Sequence, residues 1–122
     1  MHPADDLIER CFAATPDVRY VAVYRNGELH MRQRAGLTGA STSESDRYEE
    51  LLVNPTLLTL ARQRGEIDCG GLTWILLRYG NFFTLLHPLA EGHVNVGLEL
   101  DADLSGALAE VQDVVAIWRA AS

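Results

Sequence analysis

Residues 72–100 read LTWILLRYGNFFTLLHPLAEGHVNVGLEL, three apolar runs divided by two short turn sequences, and no other stretch limits the fold so tightly. In the first run Leu72, Trp74 and Leu76 alternate with Ile75 and Leu77, so an extended segment over 72–79 is apolar on both sides. Strands of that kind are covered on both faces. Gly80-Asn81 turns the chain, residues 82–87 repeat the doubly apolar pattern, and 88–92 turn it again. The third run alternates strictly over 93–100, with Val94, Val96, Leu98 and Leu100 against His93, Asn95, Gly97 and Glu99. A glycine in mid-strand, Gly97, points to close approach by a helix or another backbone. The result is an antiparallel meander that the rest of the chain must cover.

A second hairpin precedes it. Residues 18–25 are rich in β-formers, and Asn26-Gly27 is the dipeptide that a two-residue type I′ turn demands. The return strand over 28–35 places Leu29, Met31 and Ala35 on one side and Glu28, His30, Arg32 and Arg34 on the other. Charges on one side mark an edge strand protected from further pairing, and Arg32 and Arg34 are candidate contacts for an acidic partner.

Helical patterns fill the remainder. The first covers 4–14, with Pro3 at its start and Leu7, Ile8, Cys11 and Phe12 on one face. Residues 36–45, GLTGASTSES, read as a mobile loop. A helix over 46–65 follows, capped by Ser45, kinked or divided at Asn54-Pro55 and closed by Gly65. Tyr48, Leu51 and Leu52 form the apolar side of its first part, and Leu57, Leu58, Leu60 and Ala61 spread over more than one stripe of its second. A helix apolar on two sides needs its own sheet and a further partner. The last helix, 103–120, carries one continuous apolar face from Leu104 to Trp118. The order α-β-β-α-β-β-β-α predicts an α+β fold, a three-layer α/β/α sandwich around a five-stranded antiparallel sheet. At 122 residues the chain is expected to be a single domain, 1–122.

The formal charge is −7, and all ten basic residues are arginine. An acidic chain is poorly suited to nucleic acid or an anionic membrane. The absence of lysine removes Schiff-base and P-loop chemistry. The first ten residues lack the basic and apolar regions of a signal peptide, and no apolar run reaches the ~20 residues that span a bilayer. A cytoplasmic location, with Cys11 and Cys69 reduced, is the expectation.

The hairpin VRYVAVYRNGELHMR, the turn and strand PLAEGHVNVGLE, and the element order over nearly the whole chain together resemble the Roadblock / dynein light chain family, which has a profilin-like fold. The resemblance implies a homodimer joined through the third strand and the helix before it, giving a continuous sheet across two subunits. Tyr48, Leu51, Leu57, Leu58, Ala61, Leu72, Trp74 and Leu76 are the interface residues it implies. It also implies a scaffold or regulator of a small Ras-like GTPase, without chemistry of its own. Arg62 and Arg64 are then the candidates for a charge supplied to that GTPase. The all-arginine basic set fits a bacterial source.

Other constellations point less far. Asp101-Ala102-Asp103 imitates the opening of a calcium loop, but Gln112 stands where a bidentate glutamate is needed, and an acidic helix start explains the run. His87 and His93 flank a turn and could approach across it, with Asp68 and Cys69 in an adjoining segment, yet no metal-ligand spacing is present. No metal, cofactor or catalytic residue is therefore expected. His93, Asn95 and Glu99 share one strand face, where they either find partners or line a small pocket. The second case makes the chain a small-ligand sensor.

Overall fold

The computed structural model describes residues 2–37 and 40–121. The chain runs α1 (Pro3–Ala14), β1 (Val18–Arg25), β2 (Glu28–Gln33), α2 (Ser43–Tyr48), a π-helical turn (Glu49–Val53), α3 (Asn54–Asp68), β3 (Ile75–Arg78), β4 (Phe83–Leu89), β5 (Gly92–Leu98) and α4 (Leu104–Ala121). The strands form one antiparallel sheet, as the hydrophobic patterning predicts, and the structure orders them β2-β1-β5-β4-β3. Asn26 and Gly27, at φ 53° and 81°, close the first hairpin, and Arg25 pairs with Glu28 across it. Both residues sit in the left-handed region that a type I′ turn requires.

One face of the sheet carries the apolar core. Leu7, Ile8 and Cys11 of α1 and Val111, Val115 and Trp118 of α4 pack on Val21, Val23, Leu85, Val94, Val96 and Leu98. Each fully buried aliphatic side chain contributes about 1.5–3 kcal/mol, so this face supplies much of the folding energy. Burial pushes the Cys11 thiol up to about 12, which leaves it a small hydrophobe; Cys69 is exposed.

Several boundaries differ from those the sequence predicts. β3 spans only Ile75–Arg78 and forms an edge of the sheet, half-buried and not enclosed. Residues 72–74 lie outside the sheet because Gly70 and Gly71, at φ 78° and 89°, bring the chain back against the end of α3. There the Gly65 carbonyl accepts from the Cys69 and Gly71 amides, and α3 runs past Gly65 to Asp68. β4 continues through Pro88 to Leu89. It has no β3 partner beyond Leu86, and that open end tolerates a residue without an amide donor.

The predicted helix over 46–65 also starts earlier, at Ser43, with Thr42 as its cap in place of Ser45: Thr42 Oγ1 accepts from the Ser45 amide at 3.1 Å. Of the predicted 36–45 loop, Thr38 and Gly39 lie outside the described residues, and Ser43–Ser45 are already helical. There is no break at Pro55. Asn54 is helical (φ −65°, ψ −44°), and its amide bonds to the Glu49 carbonyl, so the irregularity falls in the turn before the proline.

His87 pairs with Val94 and therefore faces the apolar core, buried at 4% exposure. Burial, reinforced by the charge of Arg119, holds its ring at about 4, below the ordinary 6.5. Between those values the unfolded chain takes up a proton that the folded chain refuses, so stability falls as pH drops from 6.5 towards 4. His87→Leu removes this penalty. In urea unfolding, the variant should gain on the parent steadily as pH is lowered through that window; a constant difference would show that His87 is not the source.

Candidate functional site

The second face of the sheet is polar and is covered by the continuous α2–π–α3 helix. Tyr20 lies opposite Gly97, Ala22 opposite Asn95 and Tyr24 opposite His93, so Tyr20, His93 and Asn95 project from one face of adjacent strands. A Cβ at position 97 would stand 3.1 Å from that of Tyr20; glycine leaves the tyrosine its place.

Onto this surface the helix lowers Glu50, Asn54 and Leu58, spaced i, i+4, i+8 and all buried. Glu50 is 1% exposed. Its Oε1 accepts from Asn54 Nδ2 at 2.9 Å and meets His93 Nε2 at 2.8 Å. Its Oε2 accepts from the Tyr20 hydroxyl at 2.9 Å and from Asn95 Nδ2 at 2.7 Å. A carboxylate offers only acceptors, and here every one of these neighbours brings a donor. Burial, then the adjacent Glu50 charge, raises the Tyr20 hydroxyl far above its usual range.

The enclosed space beside Glu50 is small. A cavity of about 20 Å³ lies between Arg19, Tyr20, Gln33, Glu49, Glu50 and Asn95. That is room for roughly one water, not for an organic ligand. At its rim the Glu49 carboxyl is pushed up to about 7, first by burial and then by the charges of Glu50 and Asp46. A hydrogen bond from Tyr79 partly opposes this.

The outer side of the same helix exposes large apolar residues among polar ones such as Arg47, Thr56, Gln63 and Arg64. Tyr48, Leu51, Leu52, Leu60 and Ile67 are all more than 40% exposed. Trp74 and Tyr79 flank the edge strand β3 and are partly exposed too. The residues singled out in the sequence divide accordingly. Tyr48, Leu51 and Trp74 are on the surface; Leu57, Ala61, Leu72 and Leu76 are half-buried; Leu58 is enclosed at 4% exposure, a side chain of the interior.

The candidate arginines are engaged within the chain. Arg32 lies over the Phe12 ring at 5.1 Å, and Arg34 donates to the Pro16 and Val18 carbonyls. Arg62 donates to the Leu89 carbonyl at 3.2 Å, and Arg64 pairs with Asp68 at 2.6 Å. On the side of β2 expected to be solvated, Glu28 and Arg32 are exposed and His30 is half-buried, with Arg32 resting on Phe12 of α1. His87 and His93 do not meet: the first faces the apolar core, the second Glu50. Glu99 lies beyond the end of β5, 3.5 Å from Arg19, and does not join His93 and Asn95.

Glu50 itself was invisible to sequence reasoning, because a glutamate in the run Glu49-Glu50 looks solvated. The available signal was the unpartnered polar face of Tyr20, His93 and Asn95, which demands a complement.

No family model and no curated protein matches the sequence. Solved structures do. An MglB with a tetrameric arrangement superposes with a TM-score of 0.71 at 6% identity, covering 93% of this chain and 85% of that one. MglC from Myxococcus xanthus gives 0.64 at 11% identity, covering 99% and 100%. A Roadblock/LC7 domain from Streptomyces avermitilis gives 0.65 at 15% identity, covering 96% and 92%. The chain has the Roadblock/LC7 fold.

Glu50→Ala deletes the acceptor that four buried groups share. It should cost about 3–5 kcal/mol, the loss typical of breaking a buried charged network. Urea unfolding measures it, and a cost below about 1 kcal/mol, the scale of a surface pair, would mean that the cluster is not holding the helix down.

Proposed function

We propose that this Roadblock/LC7-fold chain is a non-enzymatic homodimeric regulator or scaffold of a small Ras-like GTPase. The observation that carries the reading is the set of exposed apolar residues on the outer side of α2–α3, Tyr48, Leu51, Leu52 and Leu60 among them, continuous in sequence with the open edge β3. A face of this kind on a soluble domain marks a protein contact. The role is the one that the Roadblock / dynein light chain resemblance implies, and the tetrameric arrangement of the MglB relative is consistent with self-association.

In the proposed dimer, β3 pairs with its counterpart, and Leu51, Leu52 and Trp74 of each copy are covered by the other. The short strand and its flanking aromatic residues support that arrangement. The arginines bonded within the chain favour regulation by docking over donation of a charge to the GTPase site. The enclosed space beside Glu50 does not favour a ligand there; a more open cleft of about 230 Å³ lies beside His93, between Tyr24, Leu58, Arg62 and Glu91. Among the described residues no helix is long and apolar enough to cross a membrane.

Light scattering should give the mass of a dimer, and Trp74→Glu together with Leu52→Glu should give a folded monomer. A monomeric parent chain would overturn the proposed joint. For function, GTP hydrolysis by a Ras-like GTPase encoded beside this gene should change on adding the chain, or the two should co-elute. Neither a rate change nor a complex would remove the GTPase reading.

A further inference from the structure

At the far edge of the sheet from β3, the N-terminus of α1 meets the start of β2. His2 Nε2 lies 3.2 Å from Glu28 Oε2, and His30 Nε2 lies 3.8 Å from the same oxygen. The two imidazole rings stack with centroids 4.2 Å apart and planes inclined by 25°. One potential ligand atom from each of the three residues falls within 4.8 Å of the others; among the described residues no other His, Cys, Asp or Glu group does so. The cluster borders a cavity of about 210 Å³, and all three side chains reach solvent.

We propose that His2, Glu28 and His30 bind a divalent transition-metal ion of the zinc class. Zinc bonds of about 2.0–2.1 Å to nitrogen and oxygen in a tetrahedron set ligand atoms roughly 3.3 Å apart. Two spacings already lie near that value, 3.2 and 3.8 Å around Glu28 Oε2, and the third is within 4.8 Å; binding turns the two stacked rings out of their stack so that both Nε2 lone pairs meet one ion. Two imidazoles and one carboxylate select zinc, copper or nickel over calcium or magnesium, which require oxygen ligands. Water completes the fourth position.

A neighbour for the supporting shell is close by. Asp5 Oδ1 lies 3.6 Å from His30 Nδ1, just beyond hydrogen-bond distance; on metal binding a small approach would let it hold the ring proton and leave Nε2 free to coordinate. His2 adds a coupling. Its Nδ1 accepts from the Ala4 amide at 3.0 Å, capping α1, so in the metal-free form the ring proton is on Nε2 and is donated to Glu28. Coordination through Nε2 displaces that proton to Nδ1, and the ion then competes with the α1 cap. The site lies on the β2 edge, which the proposed dimer joint leaves open.

The test is titration of the full, untagged chain with zinc chloride, followed by calorimetry and by the amide resonance of Ala4. One ion should bind per chain, and the Ala4 amide should shift as its acceptor is lost. Asp5→Asn should weaken binding about 10- to 100-fold. His30→Gln should weaken it more, and so should His2→Asn, which keeps a capping acceptor. Cys69→Ser should leave binding unchanged. The proposal is overturned by absence of binding, by binding that survives His30→Gln, by loss of binding in Cys69→Ser, or by an Ala4 amide that does not respond to the ion.

Discussion

A carboxylate in a protein interior is tolerated only where donors surround it. Glu50 satisfies that condition with Tyr20 from β1, His93 and Asn95 from β5, and Asn54 one turn further along its own helix. Because the partners come from separate elements, the cluster sets the rotation of the helix about its axis as well as its position. Turning the helix by half a revolution would expose Glu50, bury Leu51 and Leu52, and strand three polar side chains on the sheet. The exposed apolar residues of the outer face are thus a consequence of the polar inner one. The π-helical turn sits at this point, and such turns are characteristic of places where function overrides regular geometry.

The two faces of the sheet consequently do different work. The α1/α4 side is a conventional apolar core and supplies most of the burial. The α2–α3 side is specified by hydrogen bonds, which contribute less net free energy but tolerate fewer arrangements. The edges differ as well. β2 carries polar residues beside α1, His30 near Asp5 and an exposed Arg32 over Phe12, and β3 is short, flanked by Trp74 and Tyr79. On the proposed reading, that asymmetry decides which edge meets a second copy.

Much of the fold was legible because period-2 and helical patterns coincide with turn chemistry. Asn26-Gly27 located a hairpin to the residue, and Val94, Val96 and Leu98 identified the core side of β5. The errors arise where a long-range contact overrides a local signal. Pro55 reads as a break, but the missing amide is absorbed by the turn at Glu49–Val53. Gly65 reads as a helix end, but its carbonyl is held by Gly71, three residues beyond the true end at Asp68. The Glu50 cluster joins residues up to 75 positions apart (Tyr20 to Asn95), and His2 and Glu28 meet across 26, separations at which no spacing rule operates.

If the seating of Glu50 turns the apolar residues of a helix face and an open strand towards a second copy, the edge amides of β3 report it most directly. In an antiparallel pair, alternate amides of Ile75–Arg78 bond to β4 and the others point away from it. Hydrogen exchange at those outward amides, compared at high and low protein concentration, should be slow in the concentrated sample and accelerate on dilution. Exchange that is equally fast at both concentrations would contradict a joint through this edge.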